Sequence, residues 1–330
     1  MGWLGWVINT GPEQHKLLDD MEDDLYLDRG SRRAKLTKFW VQLALASVIA
    51  AGGVIGDSTP AVIGAMIIAP LGTPIYGLAL GAVIGDRHEI RHSLLLLVGG
   101  IAVNVLIGVL IGLVTFNRMP LDVNPQIVGR TAPTLLELSV AVATGLAGSF
   151  ALSRKDVSDI LAGVAIAISL VPVLAVVGIT LGGGRADLAF GAFTLFLANA
   201  AAILVAGTVV FTAAGYKREA SRRDTRAGRR ATIAIVVLVV VLLVPLAGGS
   251  VRTYLYERWT GAAQAAAEEW VAGTEWHVDA VTLSGDDIVV TVIGPGAAPG
   301  IDRLKEGIRE RVPDYVPVKV IEETGRTTTL

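Results

Sequence analysis

The stretch Thr59–Asp86, TPAVIGAMIIAPLGTPIYGLALGAVIGD, decides the fold class of this chain. From Pro60 to Ile84 it carries no charged residue, and about 20 consecutive apolar residues are enough to span a bilayer as a helix. Pro70 and Pro74 lie about halfway through it. Because a proline in a helix removes one backbone donor and frees a carbonyl one turn earlier, the stretch predicts a membrane helix that is interrupted near its middle.

The composition extends this interpretation to most of the 330 residues. The chain is 52% hydrophobic and only 18% charged, against roughly 25% charged residues in soluble domains. Abundant glycine and alanine favour closely packed helices over a β-barrel. We predict an all-α polytopic membrane domain with seven spans: Phe39–Gly56, Ala61–Ile84, Ser93–Val114, Thr134–Leu152, Val157–Leu181, Leu188–Ala214 and Ala231–Leu246.

The loop charges predict the orientation of these spans. The N-terminal segment and every second loop carry 17 lysines and arginines, whereas the alternate loops carry three, Arg118, Arg130 and Arg185. Cytoplasmic loops hold the excess of basic residues. We therefore expect a cytoplasmic N-terminus, an extracytoplasmic C-terminus and a bacterial plasma membrane as the location.

Spans one to three resemble spans four to six. With Gln42 aligned to Glu137, the proline-bearing second span faces the fifth span, which carries Pro172, and the third span of each set holds one asparagine, Asn104 or Asn199. Three spans per copy is an odd number, so the second copy crosses the bilayer upside down. Inverted repeats with interrupted helices near the midplane recur in secondary transporters, which predicts a 3+3 inverted repeat plus one span.

A polar pocket near the bilayer centre is the predicted site. We expect carbonyls freed before the prolines, near residues 66–69 and 168–169, to coordinate a small cation or hydrogen-bond a neutral solute. An anion would need helix N-termini or arginines, and no arginine lies inside a span. The predicted substrate-binding residues are Gln42, Pro70, Pro74, Asn104, Glu137, Ser169, Pro172 and Asn199. The alternatives are a simple helix kink at each proline, helix-to-helix hydrogen bonds at the asparagines, and a Glu137 that reaches the membrane surface.

Thr59–Asp86, followed by AGVAIAISLVPVLAVVGITL and FTLFLANAAAILVAG, resembles the bacterial membrane family called domain of unknown function 389, over about residues 40–215. The resemblance implies a multi-spanning membrane protein and no particular activity. Many members carry a soluble domain before the spans, whereas this chain has its soluble domain after the last one.

The C-terminal residues differ in character from the rest. Residues 250–330 hold 13 acidic and 8 basic residues, and two alternating stretches around Ser-Gly-Asp-Asp indicate a hairpin. The patterns predict a small α+β module in the order α-β-β-α-β. The predicted domains are a cytoplasmic segment (1–38), a six-span domain (39–214), a basic loop (215–230), a seventh span (231–249) and an extracytoplasmic module (250–330).

The sequence also excludes several classes of function. Without cysteine, thiolate catalysis and thiolate metal sites are ruled out, and a net charge of −2 argues against a nucleic-acid partner. His88 and His92, four residues apart, are a weak metal signal on their own, so we expect no metal, no cofactor and no enzymatic activity. Glycines four apart at Gly77, Gly81 and Gly85, together with the small module, predict a homo-oligomer.

Two functions remain open at this point. The first is a secondary transporter or channel for a small cation or neutral solute, with a site between two proline-broken helices in the lipid bilayer. The second is a non-transporting scaffold or sensor whose C-terminal module binds the partner.

Overall fold

The computed structural model describes residues 14–115, 121–131, 135–157, 170–221, 255–256, 258–284, 287–295, 298–313 and 315–324. The chain divides into two compact units, Met1–Ala247 and Gly248–Leu330. The described part of the first unit is helical, and the second carries a three-stranded sheet.

The first unit is a bundle of long and short helices. In chain order they are α1 (Leu18–Leu25), α2 (Arg32–Ile55), α3 (Thr59–Ile68), α4 (Gly72–Ile84), α5 (Arg87–Thr115), α6 (Pro125–Val128), α7 (Leu135–Leu152), α8 (Val171–Gly182), α9 (Ala186–Ala214) and α10 (Tyr216–Ser221).

The number of clear membrane spans is smaller than the seven predicted. Within the described residues, three helices are long and apolar enough to cross a bilayer: α2, α5 and α9. The pair α3 and α4, bent by 42°, adds a fourth if it counts as one span. The helices α7 and α8 are apolar but shorter, and 12 residues of α8 rise only about 18 Å. The first part of the predicted fifth span and all of the seventh lie outside the described residues.

The break between α3 and α4 follows from the sequence around the prolines. Ser58 caps α3 by accepting a hydrogen bond from the Ala61 backbone N–H at 3.4 Å, and the helix stops before Pro70. The chain resumes as α4, which ends at Gly85 in the left-handed conformation with φ of 80°. Since Pro70 has no N–H to donate to the Met66 carbonyl, the helical ladder cannot pass through this point.

The helices pack as two interlocked triplets. The first triplet is α2, the broken pair α3–α4, and the 29-residue α5, and the second is α7, α8 and the 29-residue α9. Within the triplets α4 packs on α5 and α8 packs on α9. Between them the partners are exchanged, because α4 packs on α9 and α8 packs on α5. The half-helices α4 and α8 thus each pack on the long helices of both triplets, and the inverted repeat stays a prediction.

Contacts between helix ends and loops define the two ends of the bundle. The Lys16 backbone N–H donates to the Ser153 carbonyl at 3.0 Å, and the Tyr216 hydroxyl donates to the Lys16 carbonyl at 3.0 Å. The N-terminal segment, the end of α7 and α10 therefore meet at one end of the bundle, which we call the α1 end. At the other end, the α6 end, the Asn124 side-chain N–H donates to the Val54 carbonyl at 3.0 Å.

Large apolar side chains remain exposed along the outside of the bundle. Exposed fractions exceed one half at positions spread over several helices, and soluble monomers rarely expose large contiguous apolar patches. This surface is compatible with contact to lipid. The most exposed members include Val41, Leu45, Val48, Ile67, Leu95, Val98, Leu106, Leu110, Leu113 and Val114.

The second unit has the predicted order of elements. Its helix α11 covers residues 258–271, followed by β1 (His277–Ser284), β2 (Asp287–Gly294), α12 (Asp302–Arg309) and β3 (Val318–Thr324). The sheet order is β1-β2-β3, with β1 antiparallel and β3 parallel to β2. Its separate core lies between this sheet and the two helices, and includes Trp259, Trp270, Trp276, Ile288, Val290, Val292 and Leu304.

Candidate functional site

Helix α5 holds the starts of both half-helices, α4 and α8, on one face. Gly100 packs closely against Leu71, since a Cβ at position 100 would lie 2.7 Å from the Leu71 Cδ2. One turn later, the Asn104 side-chain N–H donates to the Val171 carbonyl at 3.3 Å. Four residues of helix rise only about 6 Å. The break before α4 and the start of α8 therefore meet α5 within about one turn of each other.

Asn104 and Asn199 bring hydrogen-bonding oxygens into this apolar region. Asn104 is fully buried and Asn199 is 3% exposed. Among the residues that the structure describes, neither side-chain oxygen has a hydrogen-bond donor. A buried acceptor that stays unpaired costs roughly 1–3 kcal/mol, so such groups call for an explanation. Each triplet has one such oxygen in its third helix, and each of these oxygens can accept a hydrogen bond from a solute or bind a cation.

The position of Asn199 along α9 can be compared with the break between α3 and α4. Gly207 packs against α4, where a Cβ would lie 3.1 Å from the Ala79 Cβ and 3.2 Å from the Tyr76 ring. Asn199 precedes Gly207 by eight residues, or about 12 Å along α9. The residues eight positions before Tyr76 and Ala79 are Ile68 and Leu71, which flank Pro70 at the break between α3 and α4. In α5 the spacing recurs, because Gly112 follows Asn104 by eight residues and packs on Ile179 of α8.

The half-helix starts offer few backbone donors. Pro74 and Pro172 both lie in the first turn of their helices, where free N–H groups normally make an anion site. A proline removes one of these donors, and the Thr73 N–H already bonds to the Pro70 carbonyl at 3.1 Å. On the other side of the break, Met66 has lost its usual donor. The balance of the site therefore favours acceptors over donors.

The structure brings together part of the predicted set. Pro74 and Pro172 are buried and Pro70 is half-buried at the break. Gln42 is half-buried on α2, beside Leu43, which packs against Gly100. Ser169 and the carbonyls of residues 168–169 lie outside the described residues.

Glu137 lies away from the asparagines, in the first turn of α7. Its charge acts on Arg130, in the turn after α6 at the α6 end. Burial lowers the pKa of the Arg130 guanidinium, and the Glu137 carboxylate opposes that shift. This position fits the alternative in which the Glu137 side chain reaches the membrane surface.

A polar network at the α6 end was not predicted as a unit. The Gln126 side-chain amide donates to the Asp57 carboxylate at 3.0 Å and to the Thr59 hydroxyl at 3.1 Å. Arg130 in turn donates to the Gln126 side-chain oxygen at 2.8 Å. Asp57 has a left-handed backbone, with φ of 46°. The Asn-Pro-Gln sequence at 124–126 is a helix-cap signal that points to α6, but it does not indicate the partners of Gln126.

Comparison with known proteins supports the family resemblance. Residues 66–205 match the family model described as "Domain of unknown function (DUF389)". This match confirms the resemblance predicted from the sequence over these residues, which include the half-helices α4 and α8 and both asparagines.

One relative is an uncharacterized protein of Methanocaldococcus jannaschii. It is 30% identical over 211 residues, which make up 62% of this chain and 64% of the relative. The matched part thus spans somewhat less than two thirds of that protein. No solved structure matches the chain.

Proposed function

We propose that the helical unit is a membrane-embedded transporter or channel for a small cation or a neutral hydrogen-bonding solute. The observation that carries this proposal is that the buried amide oxygens of Asn104 and Asn199 have no hydrogen-bond donor within the part of the chain that the structure describes. The solute would supply the missing donor or positive charge. Helices broken near the midplane supply such sites in secondary transporters.

The reciprocal packing of the triplets supports a mechanism by rocking. If the second triplet is inverted relative to the first, an exchange of partners between α4 and α8 can open the site to either side in turn. We place the protein in a bacterial plasma membrane, with lipid as its surrounding. The Asn104 and Asn199 amides would bind and orient the solute by hydrogen bonds. We assign the unit no enzymatic role and no nucleic-acid partner.

A second candidate is a scaffold or sensor that binds its partner through the C-terminal unit. The observation that favours it is an open groove of about 590 Å³ between α12 and β3. Most of the residues that line the groove are apolar, and Lys305 and Arg309 also line it. In that case the spans would only anchor the binding unit.

Flux measurements in proteoliposomes separate the two candidates. The full chain would be tested with K⁺, Na⁺ and NH₄⁺ by ion-sensitive dyes, and with urea and glycerol by light scattering. A transporter or channel should move at least one of them, and a chain truncated at about Ser250 should keep that flux. No flux from the full chain for any member of the panel, together with partner binding that disappears on truncation, would favour the scaffold.

Reporter fusions test the proposed orientation. We expect a fusion at Gly228 to report the cytoplasm and one at Gly285 to report the outside, because the N-terminal segment and the loops that together carry 17 basic residues belong on the cytoplasmic side. A cytoplasmic signal from both fusions would remove the seventh span and the extracytoplasmic location of the second unit. The two positions lie outside the described residues, so the experiment is independent of the packing described above.

The homo-oligomer stays a prediction, and only one of its two original reasons remains. Gly77 and Gly81 pack against Ser93 and Ile90 of the same chain, so these glycines do not need a second copy. The small C-terminal unit remains as the reason to expect a homo-oligomer, since a sheet of three strands has two edges at which another strand can pair. Light scattering in mild detergent and in nanodiscs should give a mass above one chain, and a monomer in both would refute the prediction.

A further inference from the structure

A cluster of metal-ligating side chains lies at the α1 end, outside the proposed transport site. It consists of Asp28, in the loop between α1 and α2, and of His88, Glu89 and His92 in the first two turns of α5. We call these four residues the Asp28 cluster. The loop and the helix are about 60 residues apart in sequence, so tertiary packing alone unites them.

The spacing of the ligand atoms is close to that of a metal site. The His88 Nδ1 lies 3.6 Å from the Asp28 Oδ2 and 3.9 Å from the Glu89 Oε1. The His92 Nδ1 lies 3.9 Å from the Asp28 Oδ1. One ligand atom each from Asp28, His88 and Glu89 lies within 4.8 Å of the others. Ligands of a tetrahedral zinc ion, at about 2.0–2.1 Å from the metal, are roughly 3.3 Å apart.

Several atoms of the cluster are buried without a hydrogen-bond partner. Among the described residues, the Asp28 Oδ1, the Glu89 Oε2 and the His92 Nδ1 are buried and make no hydrogen bond. Glu89 is only 4% exposed. Three unpaired polar atoms on three neighbouring side chains are unusual for a protein interior, and an absent ion is one accepted explanation.

The charges around the cluster also leave room for a cation. Arg29 binds both Glu22 and Glu89, and Asp86 accepts hydrogen bonds from the His88 and Glu89 backbone N–H groups. Asp28 adds another carboxylate. In this group of neighbours the carboxylates outnumber the guanidinium, and buried charge of one sign is costly unless it is compensated. A divalent ion would compensate two of the excess negative charges.

The sequence of the cluster carries a motif that the histidine pair alone does not reveal. Residues 88–92 read His-Glu-Ile-Arg-His, which is the HExxH pattern that sets two histidines on one face of a helix for metal binding. In metalloproteases the glutamate acts as general base. Here Glu89 is buried against Arg29, and this position indicates a role in binding rather than in hydrolysis.

We propose that Asp28, His88, Glu89 and His92 bind a divalent transition-metal ion such as Zn²⁺. Two imidazole nitrogens with carboxylate oxygens are a ligand set that Zn²⁺ and its neighbours accept. The ion would link the loop after α1 to the start of α5. It would thereby hold the N-terminal segment on the bundle.

Metal binding to the full-length protein tests the proposal. Protein purified in detergent and stripped with EDTA is titrated with Zn²⁺ by calorimetry, and its Co²⁺ complex is followed by visible absorption. We expect one ion per chain and a higher melting temperature with Zn²⁺, because the ion binds only the folded state. His88→Ala, whose side chain is 75% exposed and tolerates removal, should weaken binding by about tenfold or more. Asp28→Asn and Glu89→Gln should do the same.

His15→Ala and His277→Ala are the matched controls, since these histidines lie outside the cluster and should leave the Zn²⁺ affinity unchanged. The proposal would be overturned if the double variant His88→Ala, His92→Ala bound Zn²⁺ as tightly as the wild type. It would also be overturned if Zn²⁺ did not stabilise the wild-type protein. If the Asp28 variant fails to fold, the exposed His88 position still decides the outcome.

Discussion

Replacing Asn199 or Asn104 with leucine is expected to abolish solute flux and leave the protein folded. Leucine is an apolar side chain of comparable length, and it removes a buried oxygen that has no donor among the described residues. Replacement of an unsatisfied polar group by an apolar one of similar shape is nearly neutral or stabilising. A role in packing alone therefore predicts little change in any property, whereas a role in solute binding predicts a loss of flux.

The two variants differ in their expected stability. Asn104→Leu also removes the hydrogen bond to the Val171 carbonyl, which is worth roughly 1 kcal/mol in a membrane. Asn199→Leu should unfold at the same temperature as the wild type or above it. Thermal unfolding in detergent and proteoliposome flux give the two readouts side by side.

Ser47→Ala provides the control for this experiment. Ser47 is buried like the asparagines, but its hydroxyl donates to the Leu43 carbonyl within the same helix at 2.7 Å. Its removal should leave flux unchanged. Wild-type flux in Asn199→Leu would contradict the transport site and return the asparagines to a structural role.

The features predicted from the sequence are those with local or periodic signals. The prolines at 70 and 74 mark the break between α3 and α4 because a missing N–H acts within one turn. The alternating patterns of the C-terminal residues correctly predict the order α-β-β-α-β. The asparagines could be singled out because a polar residue in an apolar stretch is rare and expensive.

Features that depend on distant contacts were missed. Asp28 and Glu89 meet only because α1 and its following loop pack on the bundle, and the contact of Gln126 with Asp57 joins residues 69 positions apart. Hydropathy does not encode such pairs. Hydropathy also overestimates span length, since it counts apolar residues whether they form one long helix or two short ones. The break within the second predicted span shows this difference directly.

Replacing Gly178 with alanine is expected to destabilise the bundle strongly, although the change adds only one methyl group. A Cβ at this position would contact the Val105 carbonyl and would lie 2.7 Å from the Gly108 Cα and 2.8 Å from the Val109 N. These are backbone atoms of α5, which cannot rotate aside as a side chain can. The helices α5 and α8 must therefore move apart, and overpacking of this kind costs about 1–3 kcal/mol or more.

Moving α5 and α8 apart would also disturb the proposed transport site. Gly108 and Gly112 on α5 face Gly178 and Gly182 on α8, and a Cβ at Gly182 would come 2.6 Å from the Val109 carbonyl. The same two helices hold the Asn104 bond to Val171, about two turns away from Gly178. Gly178→Ala should thus lower both the unfolding temperature and the flux. Asn199→Leu, in contrast, should abolish flux without lowering the unfolding temperature.

Gly64→Ala is the matched control, because no described heavy atom lies within 4 Å of a Cβ at that position. It should unfold like the wild type, or slightly above it, since alanine favours a helix over glycine by roughly 1 kcal/mol. Thermal unfolding and the monodisperse fraction in detergent compare the two variants under identical conditions. If Gly178→Ala proves as stable as Gly64→Ala, the close approach of α5 and α8 is wrong. The reciprocal exchange of half-helices between the triplets would then lose one of its two contacts, and with it the physical basis for a shared central site.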